Sequence, residues 1–274
     1  MTESRSYNIE DLLFLMERLR DPHTGCPWDT KQNFASLVAF TLEETYEVID
    51  AIEREDYQHL REELGDLLFQ VIFYSQLGAE QELFDFQAIV NELTHKLITR
   101  HPHVFPQGNL ASERQSSEPL DEQQLKSSWE DLKQQDRNNK GVTGRLADVP
   151  FALPALSRST KLQKRASRHG FDWTDISQVV DKLDEELLEL KEALGLNEKE
   201  LIEEELGDLV FACVNFARFA GLDAESVLRK ANQKFERRFV MMEQQASSEK
   251  VDFDALSTAE KNRLWEFVKG KEKE

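Results

Sequence analysis

Residues 43–69 read EETYEVIDAIEREDYQHLREELGDLLF, and residues 185–211 read EELLELKEALGLNEKELIEEELGDLVF. Set side by side at an offset of 142, the two stretches align without a gap, and eleven of the 27 positions are identical. Five of the shared residues are Glu and one is Asp. Acidic runs arising by chance would not keep one register, so the chain carries the same unit twice. In each copy apolar residues recur at i, i+3 and i+4: Leu64, Leu67, Leu68, Val71 and Ile72 in the first, Leu206, Leu209, Val210, Cys213 and Val214 in the second. That spacing is the apolar stripe of a helix. A second stripe lies upstream, at Val48, Ile49 and Ile52 and at Leu187, Leu190 and Leu194. No stretch alternates in the manner of a strand. The reading is an all-α fold of two tandem helical hairpins, turning near Glu55 and near Gly195-Leu196-Asn197, with further helices around each.

Working outward, the flanks agree more loosely. Gly25-Cys26-Pro27-Trp28 precedes the first unit and Gly170-Phe171-Asp172-Trp173 the second. Residues 107–128 are rich in Ser, Gln, Glu and Asn, which suits a connecting segment. The expected organisation is an N-terminal repeat at 8–106, a linker or loop region at 107–145 and a C-terminal repeat at 146–274. The 274 residues hold only 11 Gly and 7 Pro against 32% charged residues, a composition for long helices rather than tight turns. No run of 18 apolar residues suggests a membrane span. Two cysteines are too few for a disulfide framework, and a polar start without an apolar leader adds to the expectation of a cytoplasmic protein. A net charge of −19 argues against nucleic acid as a partner. A phosphorylated small molecule remains possible if cations stand between the two negative partners.

The acidic residues are arranged for that. Glu44 and Glu47 are three apart, as are Glu63 and Asp66; the second copy repeats this with Glu186 and Glu189, and Glu205 and Asp208. Residues at i and i+3 share a helix face. In a hairpin folded about residue 55 or 197, Glu47 faces Glu63 and Glu44 faces Asp66 at matched heights, as do Glu189 with Glu205 and Glu186 with Asp208, so antiparallel packing can gather four carboxylates. Four like charges repel unless a cation sits among them. Oxygen-only donors suit Mg²⁺, with Mn²⁺ as the alternative. Gly65 and Gly207 stand in mid-helix one residue before each Asp, where glycine costs about 1 kcal/mol relative to Ala. Their recurrence predicts close approach of another helix or a ligand.

The ordered set Glu186-x-x-Glu189 and Glu205-x-x-Asp208 resembles the signature of the MazG family of nucleotide pyrophosphohydrolases. LRDPHTGCPWD at 19–29, RHPHVF at 100–105 and KANQKFERRF at 230–239 extend the resemblance over nearly the whole chain, in the two-domain bacterial form of the family. The resemblance implies an all-α fold, a tight homodimer, and hydrolysis of NTPs and dNTPs between the α and β phosphates with broad base tolerance. It implies that Glu186, Glu189, Glu205 and Asp208 bind Mg²⁺, and that Lys182, Lys234, Arg238 and Trp265 contact the nucleotide. One departure stands out: Leu201 occupies a position where the active repeat of the family can carry Lys, with Lys199 nearby.

Glu44, Glu47, Glu63 and Asp66 offer a possible second metal site, so the carboxylates do not say which repeat is catalytic. The cations do. Lys182 precedes Glu186 by one helical turn, whereas Phe40 holds that place before Glu44. The C-terminal repeat also continues into Lys230, Lys234, Arg237 and Arg238, of which Lys234 and Arg238 share a helix face. The C-terminal repeat is therefore the expected catalytic half. Trp173 and Trp265 can each stack on a base, though Trp173 reads by default as a core or interface residue; His101 and His103 read as turn or interface residues, and His23 and Cys26 lack the other half of a zinc site. Two rival functions stay open at this point: a base-specific all-α dUTPase-like or dCTPase-like hydrolase, and a non-enzymatic acidic adaptor.

Overall fold

The hairpin turns fall where the repeat places them. Glu55 and Asn197, equivalent by the 142-residue offset, both adopt left-handed backbone, with φ of 58° and 57°. A helix ends naturally on such a residue, because the reversal lets the following amides satisfy its last carbonyls. Asn197 donates its amide to the carbonyls of Ala193 and Leu194, and Asp56 donates to Ala51 at 3.0 Å.

The computed structural model describes residues 6–115, 121, 125, 128–129, 132–133, 135, 141 and 144–272. Among these no strand occurs. The chain divides into two units, Met1–Asp136 and Arg137–Glu274. The boundary falls inside the segment read as a connecting region, much of which lies outside the described residues.

The first unit contains α1 (Ile9–Leu19), a 3₁₀ turn (Asp29–Lys31), α2 (Val38–Glu53), α3 (Tyr57–Glu80) and α4 (Phe86–Arg100). Asn8 opens α1 with a capping box closed by Asp11, and Asp56 caps α3. The hairpin is α2 against α3, with α1 packed across α3. Its core is aromatic and aliphatic: Met16, Leu37, Ile72, Phe73 and Leu77, with Phe34, Phe40 and Phe69 packed around them. Arg20 grips Glu80 with two nitrogens at 2.7 and 2.6 Å and also donates to the Asp29 and Gln32 carbonyls. Those bonds pin the Gly-Cys-Pro-Trp loop to α3. His101 ends α4 and begins a turn, its carbonyl accepting from Val104 and Phe105.

The second unit contains α5 (Ala155–Arg168), α6 (Ile176–Leu196), α7 (Lys199–Phe219), α8 (Ala224–Ser248) and α9 (Thr258–Lys271). Asp175, Asp223 and Ser257 cap α6, α8 and α9. Here α6 pairs with α7, α5 crosses α7 and α8, and α9 lies on α8. The core is built from smaller residues, Val214, Ala217 and Ala224 with Leu156 against them. Arg218 from α7 holds the Asp172 carboxylate with both terminal nitrogens, so the Gly-Phe-Asp-Trp loop is pinned by the same kind of ion pair with the partners exchanged.

Two features of these helices go beyond what apolar spacing shows. The apolar stripes are split: Ile72 and Val214 are buried, but Leu64, Leu68 and Val71, and Leu206 and Val210, are exposed. Gly65 and Gly207 meet no close neighbour, since a Cβ built on either has nothing within 4 Å. Both face outward from the hairpin, so no helix of the described chain accounts for them.

Candidate active site

Each hairpin gathers carboxylates from both of its helices. In the second unit Glu186 comes from α6 and Glu205 and Asp208 from α7, with one oxygen of each lying within 4.8 Å of the others. In the first unit Glu44, Glu63 and Asp66 form the equivalent trio. The matched heights thus bring three of each four together. Glu47 and Glu189 stand outside the trios. They remain close electrically. Partial burial lifts the Glu205 carboxyl above the usual range, and Glu189 is the first of the charges that push it further, ahead of Glu186, Glu204 and Asp208. Glu44 is raised likewise, by burial and then by Asp66, Glu47 and Glu63.

The two trios differ in what balances them. Lys182 Nζ lies 2.7 Å from Glu186 Oε1 and 2.8 Å from Glu185 Oε1. Hydrogen bonds to those two carboxylates hold the Lys182 ammonium well above the usual lysine range, so it is charged at neutral pH. Glu186 itself is buried. In the first unit the Lys182 position is Phe40, and His59 Nδ1 lies 3.1 Å from Glu63 Oε1.

A cavity of about 510 Å³ opens beside the second trio, between α5, α6, α7 and the 170–173 loop. Lys182, Glu186 and Asp208 line one part of it; Trp173, Val179 and Phe211 line the apolar part. The repeat register explains why the space exists. Phe40, Gln70 and Phe73 of the first unit correspond to Lys182, Ala212 and Asn215 of the second. Phe73 is fully buried and in edge contact with Phe69 at 5.8 Å, and Phe40 meets Trp28 edge-on at 5.5 Å. The rings that close the first core are absent from the second, and polar or small residues replace them.

The remaining expected contacts sit elsewhere. Lys234 and Arg238 lie on α8 and Trp265 on α9, where Arg238 donates to Glu272 at 2.7 Å and its guanidinium lies 5.5 Å from the Trp265 ring. None of the three lines the cavity that Lys182 does. Trp173, read from sequence as core or interface, is 40% exposed and lines it instead. Its place after Gly170 in a loop parallel to Gly25–Trp28 was the signal available. Asn215 was detectable as the residue opposite Phe73 in the repeat. Gln163, in the polar run LQKRAS, carries no such sign.

An all-helical repeat with acidic trios of hard oxygen donors, one beside a lysine-edged cavity, has the donor set that proteins binding divalent cations and phosphate groups use. Comparison makes the class particular. The MazG nucleotide pyrophosphohydrolase domain matches residues 32–105 and 175–240, one segment over each hairpin. The chain is 46% identical over 268 residues to the Escherichia coli K12 nucleoside triphosphate pyrophosphohydrolase, covering 96% of this chain and 98% of that one. It is 40% identical to the Thermotoga maritima nucleoside triphosphate pyrophosphohydrolase/pyrophosphatase MazG, covering 96% of each. The uncharacterized protein YabN of Bacillus subtilis is 37% identical over 94% of this chain, which spans 51% of that protein. The chain belongs to the MazG family.

Proposed function

We propose that this protein hydrolyses nucleoside triphosphates, ribo and deoxy, to the nucleoside monophosphate and pyrophosphate at the acidic trio of its C-terminal unit. The observation that carries the reading is the placement of Glu186, which belongs to the trio, pairs with Lys182 at 2.7 Å and lines the cavity. The names and near-complete coverage of the E. coli and T. maritima relatives support the same chemistry. Glu186, Glu205 and Asp208, with Glu189 alongside, are the residues that would hold Mg²⁺ or Mn²⁺; the donor set fits, being oxygen-only and short of positive charge. Such a cation neutralises triphosphate and acidifies water near neutral pH. In the reaction a water oxygen bonds to the α phosphorus while the bond from that phosphorus to the oxygen bridging to β breaks, and pyrophosphate departs.

The chain's own contribution is positional and electrostatic. Lys182 donates to a phosphate oxygen when it exchanges one of its two glutamate partners for substrate. The Arg218–Asp172 pair keeps Trp173 at the cavity, narrowing access for water. For Lys234, Arg238 and Trp265 as nucleotide contacts the support is family resemblance, not their placement. The exposed apolar faces of the hairpins support a homodimer. Two free cysteines and the strongly acidic charge support a cytoplasmic enzyme without nucleic acid partners; no helix among the described residues is long and apolar enough to cross a membrane.

A panel of eight NTPs and dNTPs, followed by phosphorus NMR, tests this. The expected products are NMP and pyrophosphate, formed with Mg²⁺ and not after chelation. Formation of NDP and orthophosphate would defeat the assignment, and turnover of one base alone would replace it with the base-specific reading.

A further inference from the structure

One helix of the second unit runs against the charge of the chain. Lys and Arg number 34 against 53 Asp and Glu, yet α5 carries Arg158, Lys161, Lys164, Arg165 and Arg168 and no acidic residue. In the first unit α1 holds the corresponding place. It too precedes a loop that an ion pair pins, and it too crosses the second helix of its hairpin. Its charged residues are Glu10, Asp11, Glu17 and Arg18, a net −2 where α5 has +5. The reversal falls in the unit whose hairpin borders the cavity.

The two sides of α5 differ. Thr160 and Gln163 are buried, and Leu162, Gln163 and Ala166 line the cavity. Lys161, Lys164 and Arg168, at i, i+3 and i+7, share the outer face and are exposed. Arg165 donates from Nη2 to the Asp148 carbonyl at 3.1 Å, and the Arg158 guanidinium lies over the Phe151 ring at 4.5 Å. The ammonium groups of Lys161 and Lys164 enter no ion pair among the described residues. Exposed charges of this kind add little to stability, but a row of one sign on the wall of a cavity sets up a field beyond it. The row stands about one helix diameter, about 10 Å, from the lining residues, which is about the Debye length at 0.1 M salt.

Such a field answers a difficulty in the hydrolytic reading. A triphosphate with one divalent cation bound is still an anion, and it must approach a cluster of carboxylates in a chain of net charge −19. Resting on that reading, we propose that the outer face of α5 is an electrostatic collector for polyphosphates. Lys161, Lys164 and Arg168 draw the metal-bound triphosphate toward the cavity and raise its rate of entry, without touching it once it is seated. Because a field responds to charge alone, the collector treats all bases alike.

The test is stopped-flow association, in Mg²⁺, of α,β-methylene ATP carrying a fluorophore on its ribose. One variant combines Lys161→Gln, Lys164→Gln and Arg168→Gln; a second combines Lys161→Arg, Lys164→Arg and Arg168→Lys and so keeps the charge. At an ionic strength of about 0.01 M, where the Debye length is about 30 Å, the neutral variant should associate about tenfold more slowly than wild type. At about 1 M, where that length is about 3 Å, the two should coincide. The charge-keeping variant should follow wild type at both. Equal rates at low ionic strength overturn the proposal. So does a deficit that persists at high salt or is shared by the charge-keeping variant, since either marks altered structure rather than a lost field. Should the neutral variant fail to fold, wild type decides: a collector makes association slow as salt rises, whereas the net charge alone would make it quicken. Absence of any association also counts against the collector. ATP turnover is measured on the same wild-type preparation. Absence of AMP and pyrophosphate there counts against the hydrolytic reading, whereas normal turnover beside salt-independent association counts against the collector alone.

Discussion

Glu44 and Glu205 hold their protons more tightly in the folded chain than an ordinary glutamate does, because each is partly buried and faces other carboxylates. The unfolded chain gives up those protons first as pH rises. Their contribution to stability is thus fully present below the ordinary glutamate value of 4.5 and is lost as pH climbs through the raised folded values. At neutral pH the metal-free trios are sites of repulsion, and a divalent cation reverses the sign by favouring the charged forms. The double variant Glu44→Gln, Glu205→Gln should therefore melt above wild type in chelator at pH 7.5 and below it in millimolar Mg²⁺. A wild type that melts higher in both buffers would show that the trios are not strained without metal. Gly65 and Gly207 belong with this picture. Each costs about 1 kcal/mol in a helix interior and has open space at its missing Cβ, so packing among the described residues does not account for them.

At the scale of the elements, the hairpin turn gives a sharper comparison. Glu55 and Asn197 occupy one left-handed position in two copies of one motif. Asn adopts that conformation at lower cost than Glu, the difference being on the order of 1 kcal/mol. Glu55→Asn should raise the stability of the first unit by about that amount, and Asn197→Glu should lower the second by as much, both read from urea denaturation. Shifts of the same sign would mean that the turns are held by something other than backbone preference. The position of these turns was legible beforehand, since the repeat and the matched carboxylates both point to residues 55 and 197. The helices were equally plain from their apolar spacing. The division of each stripe into a buried and an exposed half was not, because periodicity marks what is apolar and says nothing of what covers it. The cavity was also hidden. It is a product of substitutions such as Phe73 against Asn215, whose meaning depends on both residues pointing into a core that only the packing of α5 and α7 defines. The Lys182–Glu186 pairing was legible because both residues sit on one helix, a turn apart; the Gln163 contact with the Phe211 carbonyl was not, because it runs between helices.

At the scale of the whole molecule, two unequal copies of one unit raise the questions of assembly and of labour. Exposed Leu64, Leu68 and Val71 on one hairpin, and Leu206 and Val210 on the other, leave apolar surface that a lone chain would show to water. Light scattering at micromolar concentration should give about twice the 31.8 kDa chain mass, and Val210→Glu should shift it toward the monomer. Both units keep the trio, so metal binding alone cannot separate them. The difference is in what surrounds it. The first unit closes its core with Phe40 and Phe73, where the second has Lys182 and Asn215, and sets His59 beside its trio. The second opens a cavity, sets Lys182 at its charged part and leaves a smaller core behind. Closing a core stabilises and opening one does not, which supports the proposal that the second unit, rather than the first, admits the ligand. Charge-assisted contacts from a residue such as Lys182 are worth about 1.5–3 kcal/mol, a tenfold or greater effect on binding that Phe40 cannot supply. The decisive pair is Glu63→Gln and Glu205→Gln, equivalent residues in equivalent trios, assayed on the same nucleotide panel. Glu205→Gln should lower turnover by at least a hundredfold, as expected for loss of a group that holds charge at the reacting centre. Glu63→Gln should keep turnover within a few-fold of wild type. The opposite pattern would place catalysis in the N-terminal unit, and comparable losses in both would mean that the two trios work together.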